Sequence, residues 1–194
     1  MKNLANFLFE VGMLKRTPRS GFQFLGSGSE SVAEHIFRAA MIGYTLARLD
    51  PQAETEKVLR LCLFHDLPEA RTGDMNYVNK KYVAVDEQKA VDDLAATLPF
   101  GDEYRATVEE FVRNESREAH LAHDADQLEM ILSLKEFRDL GNGYAEEWYS
   151  FALQRLKTET ARELAAVIWS TDSSRWWFDN DGDWWVNGRK PRKD

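Results

Sequence analysis

Apolar residues recur at helical spacing along most of the chain. Leu4, Phe7, Leu8, Val11 and Leu14 share one face and predict a first helix over residues 3–14. Residues 15–30 hold Pro18, Gly21 and the run Gly26-Ser27-Gly28-Ser29, so a loop is expected there. Ser31-Val32-Ala33-Glu34 reads as a capping box that opens a helix running to about Leu49, with Pro51 marking the turn. The pattern then predicts a helix over 54–71 stopped by Gly73, an irregular stretch over 74–83, and helices over 84–97, 102–114 and 116–140. Gly141-Asn142-Gly143 breaks the chain, and one last long helix is expected over 145–169. The tail differs: RWWFDNDGDWWVNG sets two aromatic runs around Asp181-Gly182, a pattern that suits a small β-hairpin near 175–187. The expectation is therefore an all-α domain over 1–170. The Trp-rich tail, 171–194, would pack on that domain or form a dimer contact.

Composition narrows the function. A chain of 194 residues that is 43% apolar can bury one good core, and one domain is the default. A formal charge of −8 argues against a nucleic-acid polymer as partner but leaves room for a small anion in a local positive pocket. No run of about 18 apolar residues exists, so no membrane span is expected. Glu10 interrupts the apolar N-terminal stretch, so no signal peptide is expected either. Cys62 is the single cysteine and rules out an intrachain disulfide. It suits a reducing, cytoplasmic setting, and its place in LRLCLFH suits a core residue. DNDGD resembles the start of a calcium loop but lacks the closing glutamate, so calcium is not expected there. The basic end RKPRKD reads as a frayed terminus.

The chemical signal is polar residues on apolar faces. His35 lies in the stripe Val32, Ala39, Ile42, Leu46. His65 continues Val58, Leu61, Cys62, and Asp66 continues Leu59, Cys62, Leu63. Asp126 sits in the stripe Ala119, Ala122, Met130, Phe137. Four ionisable side chains from three helices thus aim at a core, where a carboxylate is costly unless paired or bound to metal. Two imidazoles with two carboxylates suit a first-row divalent ion: Mn, Fe, Co, Ni or Zn. In FHDLPEARTGD, Glu69 shares the helix face of His65 and Asp66, Pro68 distorts the helix beside them, and Asp74 follows Gly73. The lone cysteine lies in a core stripe, which disfavours a cysteine nucleophile, and no P-loop or GxGxxG stands after a strand.

SVAEHIF, LCLFHDLPEARTGD and ADQLEMIL together resemble the HD-domain superfamily, whose pattern is His…His-Asp…Asp. Leu14, Lys15 and Arg19 match the Leu-Lys-x-x-x-Arg of its 5′-deoxynucleotidase branch, although Ser20 stands where an aromatic residue often follows the arginine. The resemblance covers roughly residues 5–155. It implies a helical bundle and a metal-dependent phosphohydrolase that removes phosphate from deoxynucleoside 5′-monophosphates. His35, His65, Asp66 and Asp126 would hold the metal. Glu69 would orient or activate the attacking water, Asp74 would assist proton transfer or contact the sugar, and Arg19 would hold the phosphate. Asp124 competes with Asp126 as the fourth ligand, while His120 and His123 read as surface or supporting residues. A homodimer is expected. The alternatives are an HD hydrolase for another phosphoester, such as a cyclic nucleotide or an alarmone, and a metal-containing nucleotide sensor without catalysis.

Overall fold

Capping and close helix contact explain most of the architecture seen in the computed structural model, which describes residues 1–178 and 184–188. The helices are α1 (Lys2–Val11), α2 (Phe22–Leu25), α3 (Val32–Leu49), α4 (Thr55–Phe64), α5 (Glu69–Thr72), α6 (Glu87–Ala95), α7 (Gly101–Arg113), α8 (Arg117–Asp139), α9 (Tyr144–Arg155), α10 (Glu159–Ser170) and α11 (Trp184–Asn187). No strand occurs among the described residues, and the all-α expectation holds. No described helix is long and apolar enough to cross a membrane.

Helix α8 is the axis. It packs against α3, α4, α9 and α10. Ala122, Ala125, Leu128 and Ile131 of α8 meet Ile42 and Leu46 of α3, Val58, Leu61 and Cys62 of α4, and Ala152, Ala161 and Ala165 of α9 and α10 in one buried cluster. Helices α3 and α4 approach closely because Gly43 has no side chain. A Cβ there would lie 2.6 Å from Cys62 Sγ and 3.2 Å from Val58 Cγ1. Cys62 is 1% exposed, and burial pushes its thiol up to about 12, so it behaves as an inert core residue. A second cluster gathers Leu14, Val32, Ile36, Leu67, Val91, Leu94, Tyr104 and Val108, and seats α6 and α7 against the start of α3. His35 falls on α3 between residues of the two clusters.

Ser31 caps α3 as expected: its hydroxyl accepts the Glu34 N–H, and its own N–H donates to Glu34 Oε2 at 2.7 Å. Elsewhere the segments are shorter than their patterns. The expected helix 54–71 ends at Phe64, and α5 restarts after Pro68. Pro68 has no N–H and crowds the Phe64 carbonyl, which instead accepts from Leu67 N–H at 3.2 Å. The expected helix 145–169 is two helices, because Thr158 caps α10 through its hydroxyl. The expected loop 15–30 contains the short α2.

The hairpin expected over 175–187 falls partly on residues 179–183, outside the described residues. Of its flanks, 173–177 form turns and Trp184–Asn187 form a helical turn, so no strand is found there. The DNDGD run and the end RKPRKD also lie outside the described residues.

Candidate metal centre and its cleft

His35, on α3, is fully buried. Its Nδ1 sits 2.8 Å from Glu129 Oε2, which leaves Nε2 facing the opposite way. His65, at the C-terminal end of α4, is fixed likewise, with Nδ1 2.9 Å from the Cys62 carbonyl oxygen. The two imidazoles stand 5.7 Å apart. Asp126 Oδ1 lies 3.2 Å from His35 Nε2. Asp66 Oδ2 lies 3.2 Å from His65 Nε2 and 3.5 Å from His35 Nε2. Helices α3 and α8 and the turn after α4 therefore bring four of the expected residues to one point.

The polar atoms at that point are orphaned. His35 Nε2, His65 Nε2, Asp66 Oδ2 and Glu69 Oε2 are buried without an aligned hydrogen-bond partner. Such groups carry a desolvation cost unless something else satisfies them. Ligand atoms of His35, His65 and Asp126 lie within 4.8 Å of one another, close enough to share one ion. Electrostatics favour a cation there. Burial opposes charge on His35, but Asp126 and Glu129 outweigh it and push the imidazole up to about 10. Burial, Asp66 and Asp74 push Glu69 up to about 9, with Arg19 opposing. Burial would also raise Asp126, yet His35, His65 and Arg19 hold it far below the ordinary carboxylate range. A site that drives a proton onto an imidazole and a glutamate carries a surplus of negative charge, and a divalent ion would neutralise it. The residues fit such an ion in both donor type and charge.

Arg19 reaches the site from its loop, which is pinned to the start of α3. Arg19 N–H donates to the Glu30 carbonyl at 2.8 Å, and Val32 N–H donates to the Thr17 carbonyl at 2.9 Å. Arg19 Nη1 then lies 3.5 Å from Asp66 Oδ2 and 3.7 Å from Asp74 Oδ1. Gly73, at φ 74° and ψ 158°, adopts a backbone that side-chain-bearing residues rarely take, and turns the chain towards Asp74. Asp74 Oδ2 accepts both the N–H and the hydroxyl of Ser20. The residue that departs from the family pattern thus ties the arginine loop to the aspartate. Arg19, His65, Asp66, Glu69, Asp74 and Asp126 line one cleft of about 880 Å³, a size suited to a small organic ligand.

Asp124, the competitor, is elsewhere. It is fully buried and accepts from Lys157 N–H at 2.6 Å, Thr158 N–H at 2.9 Å and the Thr158 hydroxyl at 2.7 Å. It caps α10. Asp124→Ala would leave those donors unsatisfied and is expected to cost about 3 kcal/mol, roughly 10 °C in Tm, with metal content unchanged. Thermal melts with elemental analysis check this; a stable variant that has lost its metal would contradict it. His123 stacks on Phe111 at 3.9 Å and His120 binds the Asn114 carbonyl, so neither reaches the cluster.

Sequence reasoning missed Glu129 and its clamp. Glu129 is 1% exposed and held near 2, with His35 and Arg38 outweighing burial. Arg38 donates to Glu129 Oε1 at 2.6 Å and to Glu136 Oε1 at 2.8 Å, and also to the Ser133 hydroxyl. The available signal was spacing: Glu129 is three residues beyond Asp126, on its helix face.

Comparison with known proteins identifies the family. A family model described as HD domain matches residues 11–169. The 5'-deoxynucleotidase HDDC2 of Bos taurus is 33% identical over 156 residues, covering 76% of this chain and 75% of the relative. Its Homo sapiens counterpart is 31% identical over 156 residues, with 76% of each chain covered. Among solved structures, a conserved hypothetical protein from Pyrococcus furiosus superposes with a TM-score of 0.72 at 33% identity, covering 84% of this chain and 96% of that one. A protein from Magnetospirillum magnetotacticum, described as a predicted metal-dependent phosphohydrolase, shares the fold with a TM-score of 0.69 at 24% identity, covering 86% of this chain and 89% of that one.

Proposed function

The chain belongs to the HD domain family, and from that premise we propose that it is a metal-dependent phosphomonoesterase acting on deoxynucleoside 5′-monophosphates. The observation that carries the reading is the set of orphaned atoms of His35, His65 and Asp66, converging at a cleft that His65 and Asp66 line together with Arg19 and Glu69. The names of the relatives in cattle and human supply the substrate class.

His35, His65, Asp66 and Asp126 would hold one divalent ion, with Mn, Fe, Co, Ni and Zn all compatible with mixed imidazole and carboxylate donors. When bound, such an ion supplies a Lewis acid for the phosphoryl oxygens and makes water more acidic. The rest falls to the chain. Glu129 holds His35 by Nδ1, so the ring keeps its orientation. Arg19 offers a planar fork of N–H donors to the phosphate oxygens. Glu69 takes the proton of the water that attacks phosphorus. As the bond from phosphorus to the 5′ oxygen breaks, the proton taken up by Glu69 is returned to that oxygen through Asp74 or water. Asp74, anchored by Ser20, also steadies Arg19.

The test is phosphate release by protein stripped with a chelator and then supplied with Mn²⁺ or Co²⁺. Turnover of deoxynucleoside 5′-monophosphates, restored by the metal and absent before it, is the expected result. Preference for cyclic nucleotides or an alarmone would move the substrate assignment. Metal and nucleotide binding with no turnover would leave the sensor reading in its place.

A further inference from the structure

An exposed aromatic ring stands in the catalytic cleft with one neighbour already stacked on it. Tyr77 is 58% exposed and lines the same cleft as Arg19, Asp66 and Glu69. The Arg155 guanidinium carbon lies 4.8 Å from its ring centroid. Arg155 also donates to Gln127 Oε1 at 3.3 Å, and Gln127 Nε2 donates to Asp126 Oδ2 at 2.8 Å. A short relay of contacts thus connects the metal-facing aspartate to the ring. The backbone around Tyr77 is fixed as well. Asn76 is buried, and its Oδ1 accepts the N–H groups of Val78 at 3.0 Å and Asn79 at 2.9 Å. The ring is therefore held in place although most of its surface is uncovered.

We propose that Tyr77, backed by Arg155, is the platform on which the nucleobase of the substrate stacks. The inference rests on the nucleotidase reading above and deepens it by naming what recognises the base. A nucleoside monophosphate presents an anion at one end and a flat π-system at the other. Arg19 meets the first, and Tyr77 is the exposed ring in the cleft whose orientation a cation already fixes. Stacking on an aromatic face accepts any base, because every base has such a face. The site would therefore discriminate nucleotides from sugar phosphates more strongly than one base from another.

The test compares a deoxynucleoside 5′-monophosphate with 2-deoxyribose 5-phosphate, which keeps the scissile bond and lacks the base. In Tyr77→Ala, the ratio of kcat/KM for the nucleotide to that for the sugar phosphate is expected to fall about tenfold, through KM of the nucleotide. Tyr77→Phe is expected to keep the wild-type ratio, since the face and not the hydroxyl is used. Arg155→Ala is expected to lower the ratio by less than Tyr77→Ala. An unchanged ratio in Tyr77→Ala overturns the proposal, as does an equal loss with both substrates or a Tyr77→Phe variant as impaired as alanine. The wild-type protein separates the two readings: if it hydrolyses neither substrate, the nucleotidase reading fails and this one with it. If it hydrolyses both and the ratio ignores Tyr77, only this inference fails.

Discussion

Replacing His65 with alanine is expected to abolish metal retention and turnover together. The Nδ1 contact to the Cys62 carbonyl, at 2.9 Å, leaves Nε2 no role except towards the cluster. Without the ring, Asp66 and Asp126 face each other across a site with one imidazole fewer. The donor set falls below what a divalent ion needs, and the carboxylates keep their desolvation cost. Asp126→Ala is expected to match it, because Asp126 Oδ1 stands 3.2 Å from His35 Nε2. Elemental analysis of the purified variants should show stoichiometric metal in the wild type and a trace in both. Phosphate release should drop to the uncatalysed level even with added Mn²⁺. Full metal occupancy and turnover in either variant would remove that residue from the site.

Helix α8 shows what a sequence can and cannot say about such a centre. Asp124 and Asp126 are two residues apart, so they point about 200° apart around the helix. Both read as polar residues among alanines. A helix buried on one side would separate them, but Ala119, Leu121, Ala122, Ala125, Leu128, Ile131 and Leu134 place buried positions on most sides of α8. Its periodicity is weak because α3, α4, α9 and α10 surround it. The match to a family register preferred Asp126, and the geometry gives Asp126 to the His35 side and Asp124 to the α10 cap. Glu129 escaped notice for the same reason. A glutamate in a helix usually marks solvent, its spacing from Asp126 is a weak signal by itself, and the contact that fixes its role comes from His35, 94 positions earlier.

Stripes on α3 and α4 were more informative. Each has one apolar face, so a histidine on it stands out as a polar group with no ordinary reason to be there. The break after Phe64 was signalled by Pro68, although the pattern alone still ran the helix through to 71. The break at 156–158 carried no proline or glycine. Thr158 can sit within a helix as well as cap one, and the Asp124 carboxylate from α8 decides between them by accepting the backbone N–H groups of Lys157 and Thr158. Local sequence cannot express a choice that is settled by a side chain more than 30 positions away.

Glu69→Ala is expected to separate catalysis from metal binding: the variant should keep its metal and lose about 10²- to 10⁴-fold in kcat, the usual contribution of a general base. Glu69 lies at the start of α5, one short turn beyond Asp66, and belongs to the orphaned set through its buried Oε2. Asp66 and Asp74 push it up to about 9 alongside burial, and a dication in the cluster would draw it down towards a working base. Glu69→Gln keeps the shape and removes the basic oxygen, so it should be as slow as alanine. Arg19 provides the contrast. Its guanidinium already lies between Asp66 and Asp74, where its charge sits beside both carboxylates. Arg19→Ala should also retain metal but act mainly on KM, and Arg19→Lys should recover only part of the loss, because an ammonium cannot form the planar fork. Arg16, exposed and outside the matched spacing, should tolerate alanine. Metal content with steady-state kinetics on these variants distinguishes the roles. If Glu69→Ala and Arg19→Ala both kept the wild-type kcat/KM, the roles of general base and phosphate anchor assigned to these two residues would fall, while the metal site would stand.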